Sequence, residues 1–153
     1  MNWYKIAQIA QNFQELGKLR QLATQFRLEQ VKSNSDEYLR ERCLPTSRDL
    51  TKLLISNGYN TAIVTQGLFR CDRPSPYVSA NWKVEDFWTK ELMEEAKYTP
   101  LHYWVEVLMN GSDIIVDLTA TQFNDELDAP VSAVEIGTYS DLGRYKAIQK
   151  DYI

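Results

Sequence analysis

The chain has 153 residues, enough for one domain with a real core and too few for two comfortable ones. With 44% hydrophobic and 25% charged residues, and with nine Tyr, five Phe and four Trp, disorder is not expected except at the ends. The net charge of −4, without a Lys/Arg run, gives no electrostatic footprint for nucleic acid or an anionic membrane.

Residues 2 to about 32 read as a helix, because Trp3, Ile6, Ile9 with Ala10, Phe13, Leu16 and Leu19 recur at spacings of three and four. Gly17 is a place where this helix could kink or divide. Its first residues contain no long apolar core or cleavage pattern, and no stretch of the chain approaches the ~20 apolar residues of a membrane span. Two cysteines, Cys43 and Cys71, are too few for a disulfide framework, so the expectation is a cytoplasmic protein with free thiols.

A loop over 33–38 leads to a short helical piece in "DEYLRERC". The next helix carries Leu50, Leu53 and Leu54 and stops at Asn57-Gly58. Two starts are open. Pro45 can occupy the first helical position, or Thr46 and Asp49 can form a capping box two residues later. Either start leaves Cys43 within about one turn of the helix N-terminus. Residues 60–69 read as a strand, 70–83 as a loop and 84–98 as a helix. Strands over 101–109 and 112–118 meet at Asn110-Gly111, the strongest short-range hairpin signal. "FNDELDAP" reads as a loop, "VSAVEIGTY" as a strand, and the remainder as a weak helix or tail. Helices first, then strands with one interrupting helix, predict an α+β fold with a mostly antiparallel sheet.

The hairpin has a geometric consequence. A two-residue turn at Asn110-Gly111 sets Met109 opposite Ser112, Trp104 opposite Asp117 and His102 opposite Thr119. His102, Trp104, Asp117 and Thr119 then share one face, with His102 and Asp117 as diagonal neighbours. A one-residue slip would separate them. A lone strand histidine is more often a satisfied structural residue than a catalyst, but an acid following "IIV" in a buried strand needs a partner. A His–Asp pair acting as a base needs a nucleophile, and Cys43 is favoured because a helix N-terminus stabilises the thiolate. The competing reading of Cys43 is a small buried hydrophobe. Cys71 enters a Pro-containing loop with no helix dipole beside it.

Cys43, Ser47 and Leu50 form C-x-x-x-S-x-x-L, followed by "AIVTQG", H-x-W-x-E at His102–Glu106 and D-x-T-x-x-Q-F at Asp117–Phe123. This order resembles the papain-like and transglutaminase-like cysteine enzyme superfamily, its small bacterial and phage members in particular. The chain reads from its length as a single domain over 1–153, and the resemblance spans about residues 40–123 of it. In it, 1–35 is an N-terminal helical extension, 40–123 the catalytic-core-like region, and 124–153 a C-terminal strand and tail. The resemblance implies a papain-like core, and the order of elements places the N-terminal helices on its mostly antiparallel sheet. The resemblance also implies a Cys43–His102–Asp117 triad and acyl transfer from an amide of a protein or peptide through a thioester, and no cofactor is expected. The backbone N–H of Cys43 would be the first oxyanion donor. The second is open: Glu37 stands where such enzymes often have glutamine, and an ionised carboxylate cannot donate, which leaves Gln30 and Asn34.

Trp104 would wall the site or simply pack in the core. Glu106 is in phase with His102 but farther along the strand, and reads as a surface or network residue rather than the triad acid. Gln122 would lie beside the site with Phe123. Zinc ligation is a weak competitor, because one histidine and two distant cysteines lack ligand spacing. The competing function is a non-catalytic fold used for binding or assembly, with the N-terminal helix as a partner or dimer contact.

Overall fold

The computed structural model describes residues 2–31, 39, 42–73 and 98–152. The expected loop over 33–38 and most of the short helical piece after it lie outside these residues. So does the expected helix over 84–98, apart from Tyr98, which instead begins a strand. Helix α1 (Trp3–Gln30) starts at Asn2, whose side chain accepts hydrogen bonds from the Tyr4 and Lys5 amides. It passes Gly17 unbroken, since one glycine only lowers helix propensity by about 1 kcal/mol. Its buried residues are Leu19, Ala23 and Arg27, whereas Trp3, Ile9 and Phe13 are exposed. The apolar stripe expected along the whole helix therefore serves the core only in the second half.

Helix α2 (Cys43–Ser56) begins at Cys43 itself. No side chain caps it, and Thr46 N–H already donates to the Arg42 carbonyl, so the Thr46–Asp49 capping box is not the start. Pro45 sits in the first turn, where its missing N–H costs no intrahelical bond. Cys43, Ser47, Leu50 and Leu54 form the buried face at helical spacing. Asn57 caps the far end, and Gly58 follows at φ 92°.

The five strands are β1 (Ile63–Arg70), β2 (Tyr98–Met109), β3 (Ser112–Asp117), β4 (Glu135–Thr138) and β5 (Tyr145–Gln149). Their order in the sheet is β4-β3-β2-β1-β5, and every neighbouring pair is antiparallel. The fold is thus α+β with N-terminal helices and an antiparallel sheet, as expected. Three boundaries differ. Half of the expected loop after β3 is a 3-10 helix (Ala120–Glu126), and the strand expected over 131–139 is confined to β4. A short helix α3 (Tyr139–Leu142) follows, with Thr138 Oγ1 accepting from the Asp141 amide. The expected weak helix or tail is then β5, in which Tyr145 pairs with Phe69 and Ala147 with Gly67. Its sequence carries little strand signal because it is an edge strand, packed mainly through Tyr145.

Alternation along the strands divides the core in two. Val105, Val107, Ile114 and Val116 pack with Leu19 and Ala23 of α1 and Leu50 and Leu54 of α2. Trp104 and Ile115 point the other way, against Phe69, Phe123, Leu127 and Tyr145, with Tyr139 and Leu142 of α3 packed beside them.

Candidate active site

The β2–β3 turn sets the site. Asn110 and Gly111 both take positive φ, 52° and 79°, as a two-residue turn matching the strand twist demands. Met109 pairs with Ser112 and Val105 with Val116, the register read from the sequence. One step further, it brings His102 and Asp117 together: Nε2 lies 2.6 Å from Asp117 Oδ2, with both side chains buried.

Asp117 is fully engaged. Oδ2 also accepts from the Tyr145 hydroxyl at 2.8 Å, while Oδ1 accepts from the Thr119 amide at 3.0 Å and the Thr119 hydroxyl at 3.3 Å. Burial pushes its pKa up, but the His102 charge and hydrogen bond, the Thr119 amide and the Tyr145 hydroxyl together hold it below the ordinary carboxylate value. Burial pulls His102 down. The Asp117 charge and hydrogen bond, and then Cys43, outweigh that and raise the imidazole to about 9. The imidazolium–carboxylate form is the favoured one.

Cys43 supplies the third side chain. As the first residue of α2, it stands close enough to His102 for the two to interact electrostatically. His102 Nδ1, the nitrogen that Asp117 leaves open, is buried and makes no well-aligned hydrogen bond among the described residues. The structure thus brings together Cys43, His102 and Asp117, with a thiol beside an imidazole whose far nitrogen is anchored. Cys71 is not among the groups that act on His102. It is buried, and burial, followed by the charges of Glu126 and Asp72 against that of Arg144, raises its thiol to about 12.

The remaining motif residues acquire physical roles. Trp104 is completely buried and its ring lies 5.8 Å from the imidazole, so it both walls the histidine and belongs to the core. Trp104 Nε1 donates to the Tyr139 hydroxyl at 3.1 Å, and that hydroxyl donates to Glu106 Oε2 at 2.5 Å. Glu106 is also paired with Lys150 at 2.9 Å and is buried, so it is not a surface residue but a network residue that fixes the tryptophan through Tyr139. Gln122 Nε2 donates to the Thr119 carbonyl at 2.9 Å, bracing the turn that presents Thr119 to Asp117. Phe123 meets the imidazole edge-on at 4.9 Å. Gln30 is exposed at the end of α1, while Asn34 and Glu37 lie outside the described residues.

Three contributors escaped the sequence reading. Tyr145 lies in a segment without a clear strand pattern. Phe69 sits edge-on to His102 at 6.0 Å, but resembles any core aromatic in sequence. Gly67 pairs with His102, and a Cβ there would collide with the Trp104 ring and the Lys146 carbonyl. A glycine inside a strand does signal close approach, and that signal was readable.

Among the described residues no group of three or more His, Cys, Asp or Glu side chains could hold a metal ion, and no helix is long and apolar enough to cross a membrane. The class defined so far is an α+β domain with a buried Cys–His–Asp arrangement. No family model, no curated protein and no solved structure matches the chain.

Proposed function

We propose that this chain is a cysteine-dependent acyl-transfer enzyme with a papain-like or transglutaminase-like core, acting on an amide of a protein or peptide. One observation carries the reading: His102 is anchored by Asp117 through Nε2 and leaves Nδ1 open on an imidazole that Cys43 adjoins. In this mechanism Cys43 Sγ attacks the amide carbonyl carbon, and the carbonyl electrons move onto oxygen. The Cys43 backbone N–H, at the start of α2, is a donor for that oxyanion. As the tetrahedral intermediate collapses, the C–N bond breaks and His102 gives the Nδ1 proton to the departing nitrogen. Water or an amine then attacks the thioester and gives a proton to Nδ1; as the carbonyl re-forms the C–S bond breaks and Cys43 leaves as the thiolate, which restores the starting thiolate–imidazolium pair. Asp117 holds the ring orientation and stabilises its charged form throughout. No step calls for a cofactor. Two cysteines without a disulfide suit a reducing, cytoplasmic setting.

The test is alkylation. Iodoacetamide at mildly acidic pH should modify Cys43 at least about tenfold faster than Cys71, because the thiolate is the reactive species. His102→Ala should abolish that advantage. A cysteine-directed acyl probe should label the wild type and Cys71→Ala but not Cys43→Ala. Equal, slow labelling of both thiols would remove the catalytic reading. A second reading, a non-catalytic binding or assembly module, draws on the exposed Trp3, Ile9 and Phe13 of α1.

A further inference from the structure

The far end of α2 is pinned to the far end of β2. Thr61, four residues beyond the Asn57 cap, accepts through Oγ1 from the Leu108 amide at 3.0 Å. The 14 residues of α2 span about 20 Å, and so do the strand residues from Leu108 back to His102. Cys43 therefore stands level with His102 and Tyr103. Val105 and Val107 pack with Leu50 and Leu54 of α2, and Tyr103, two residues before Val105, lies on that same face of β2. His102 projects from the opposite face, toward Phe69 and Phe123. The imidazole and the phenol thus come to the Cys43 end of α2 from two sides, and Cys43 acts electrostatically on both.

Tyr103 belongs to a polar cluster. It pairs across the sheet with Gln66, whose Nε2 donates to the Tyr103 hydroxyl at 3.0 Å. The Tyr152 ring lies 5.1 Å away, and its side chain also hydrogen-bonds that hydroxyl. All three side chains are partly buried, so the cluster borders solvent beside the aliphatic packing of Val105 and Val107. Burial, and then the Tyr152 bond, push the phenol up to about 12, while the Gln66 bond pulls it down. Those signs are the ones of a phenol that donates to Tyr152 and accepts from Gln66. Tyr103 therefore stays protonated and at rest gives its proton to a neutral oxygen.

We propose that the Tyr103 hydroxyl is the second oxyanion donor, and that Gln66 is the positioning residue that aims it. The inference rests on the acyl-transfer reading of Cys43, which supplies one donor, the Cys43 backbone N–H, and calls for another. When Cys43 Sγ bonds to the carbonyl carbon, the carbonyl π electrons pass to oxygen. The Cys43 N–H and the Tyr103 O–H then both donate to that oxygen, and neither proton is transferred. The Tyr103 proton leaves a neutral acceptor for an anionic one, where a hydrogen bond is roughly twice as strong. That gain exists only once the charge has developed, so it lowers the barrier without tightening substrate binding. The two-sided approach fits the reaction as well. The oxygen of the amide faces the phenol while its departing nitrogen faces the imidazole.

Two reactions of Cys43 separate this role from that of the triad. Iodoacetamide reacts at a saturated carbon and forms no oxyanion, whereas p-nitrophenyl acetate acylates the thiolate through one. Tyr103→Phe should alkylate within about twofold of the wild-type rate, with an unchanged circular dichroism spectrum. Its burst of p-nitrophenolate should be at least about tenfold slower, since one donor is worth about 10²–10³ and an activated ester leans on it less than an amide. Gln66→Leu should slow acetylation by less, and adding it to Tyr103→Phe should slow it no further, because Gln66 acts through the phenol. Equal acetylation rates in Tyr103→Phe and the wild type overturn the inference. So does a parallel fall in both reactions, the mark of a structural tyrosine. Additive losses in the double variant overturn the role of Gln66. If Tyr103→Phe does not fold, Gln66→Leu decides: slowed acetylation with alkylation kept upholds the donor, and any other pattern overturns it. A wild type that alkylates Cys43 no faster than Cys71 removes the acyl-transfer reading itself, and this inference with it.

Discussion

Cys43 and Cys71 are both buried and neither forms a disulfide, yet they sit in opposite surroundings. Cys71 lies in the apolar cluster with Phe69 and Tyr145, and the nearby carboxylates of Glu126 and Asp72 add to the effect of burial in raising its thiol. Cys43 opens a helix and adjoins an imidazole that a buried carboxylate keeps charged. Burial by itself therefore says nothing about whether a thiol is chemically poised. The charged neighbours differ: Glu126, Arg144 and Asp72 act on Cys71, whereas Cys43 adjoins the His102 imidazole.

The largest break in that contrast should come from Asp117→Ala. It removes the partner of a buried charge and leaves Nε2 without its acceptor, which costs about 3–5 kcal/mol of stability in urea unfolding. His102 should then titrate below its ordinary 6.5 rather than near 9, because burial is the largest influence left on it. His102 is the only histidine, so its ring signals in a proton NMR titration are unambiguous. A midpoint that stays near 9 in Asp117→Ala would show that the carboxylate does not set the imidazole charge.

The wild-type pair also predicts a pH window. The raised His102 value contributes stability that is fully present below pH 6.5 and lost as pH rises through about 9. The depressed Asp117 value contributes stability above the ordinary carboxylate range that is lost as pH falls through its folded value. Denaturation midpoints measured from about pH 2 to 10 should therefore form a plateau that slopes down at both ends, and His102→Gln should lose the alkaline slope.

Gly67→Ala should have the next largest effect. The added methyl meets the Trp104 ring and a backbone carbonyl of β5, and neither can swing aside like the end of a flexible side chain. Overpacking of this kind costs about 2–3 kcal/mol. Because Trp104 walls His102, the alkylation advantage of Cys43 should fall with stability. A variant as stable as the wild type would mean that β1 and β5 can separate there.

The sequence made the His102–Asp117 encounter legible because an Asn-Gly turn admits few registers and side chains alternate with period two. The position of Cys43 was legible from a leucine stripe that ends at a glycine. The division of α1 into an exposed and a buried half was not. Spacings of three and four fit both Trp3–Phe13 and Leu19–Ala23, and only the body of the protein distinguishes them. Tyr145 was hidden for a different reason. "YKAIQ" has too few apolar positions to show alternation, and it becomes a strand because β1, far earlier in the chain, offers an edge. Local pattern reports local structure, whereas an edge strand is recruited by its partner.

That recruited strand supports the smallest prediction. Tyr145→Phe deletes one hydroxyl and keeps the ring against Phe69 and Trp104, at 5.2 and 5.0 Å. Asp117 Oδ2 then has His102 as its only remaining donor among those described. The loss of a hydrogen bond to a charged acceptor should cost about 1.5 kcal/mol. The direction of the His102 shift separates this role from simple packing. The hydroxyl draws charge from the oxygen that His102 also uses, so removing it should strengthen the carboxylate's pull on the imidazole proton. The His102 midpoint should rise, whereas a packing defect that admits water would move it toward 6.5. An unchanged midpoint would confine Tyr145 to the core and leave Thr119 as the residue that tempers Asp117.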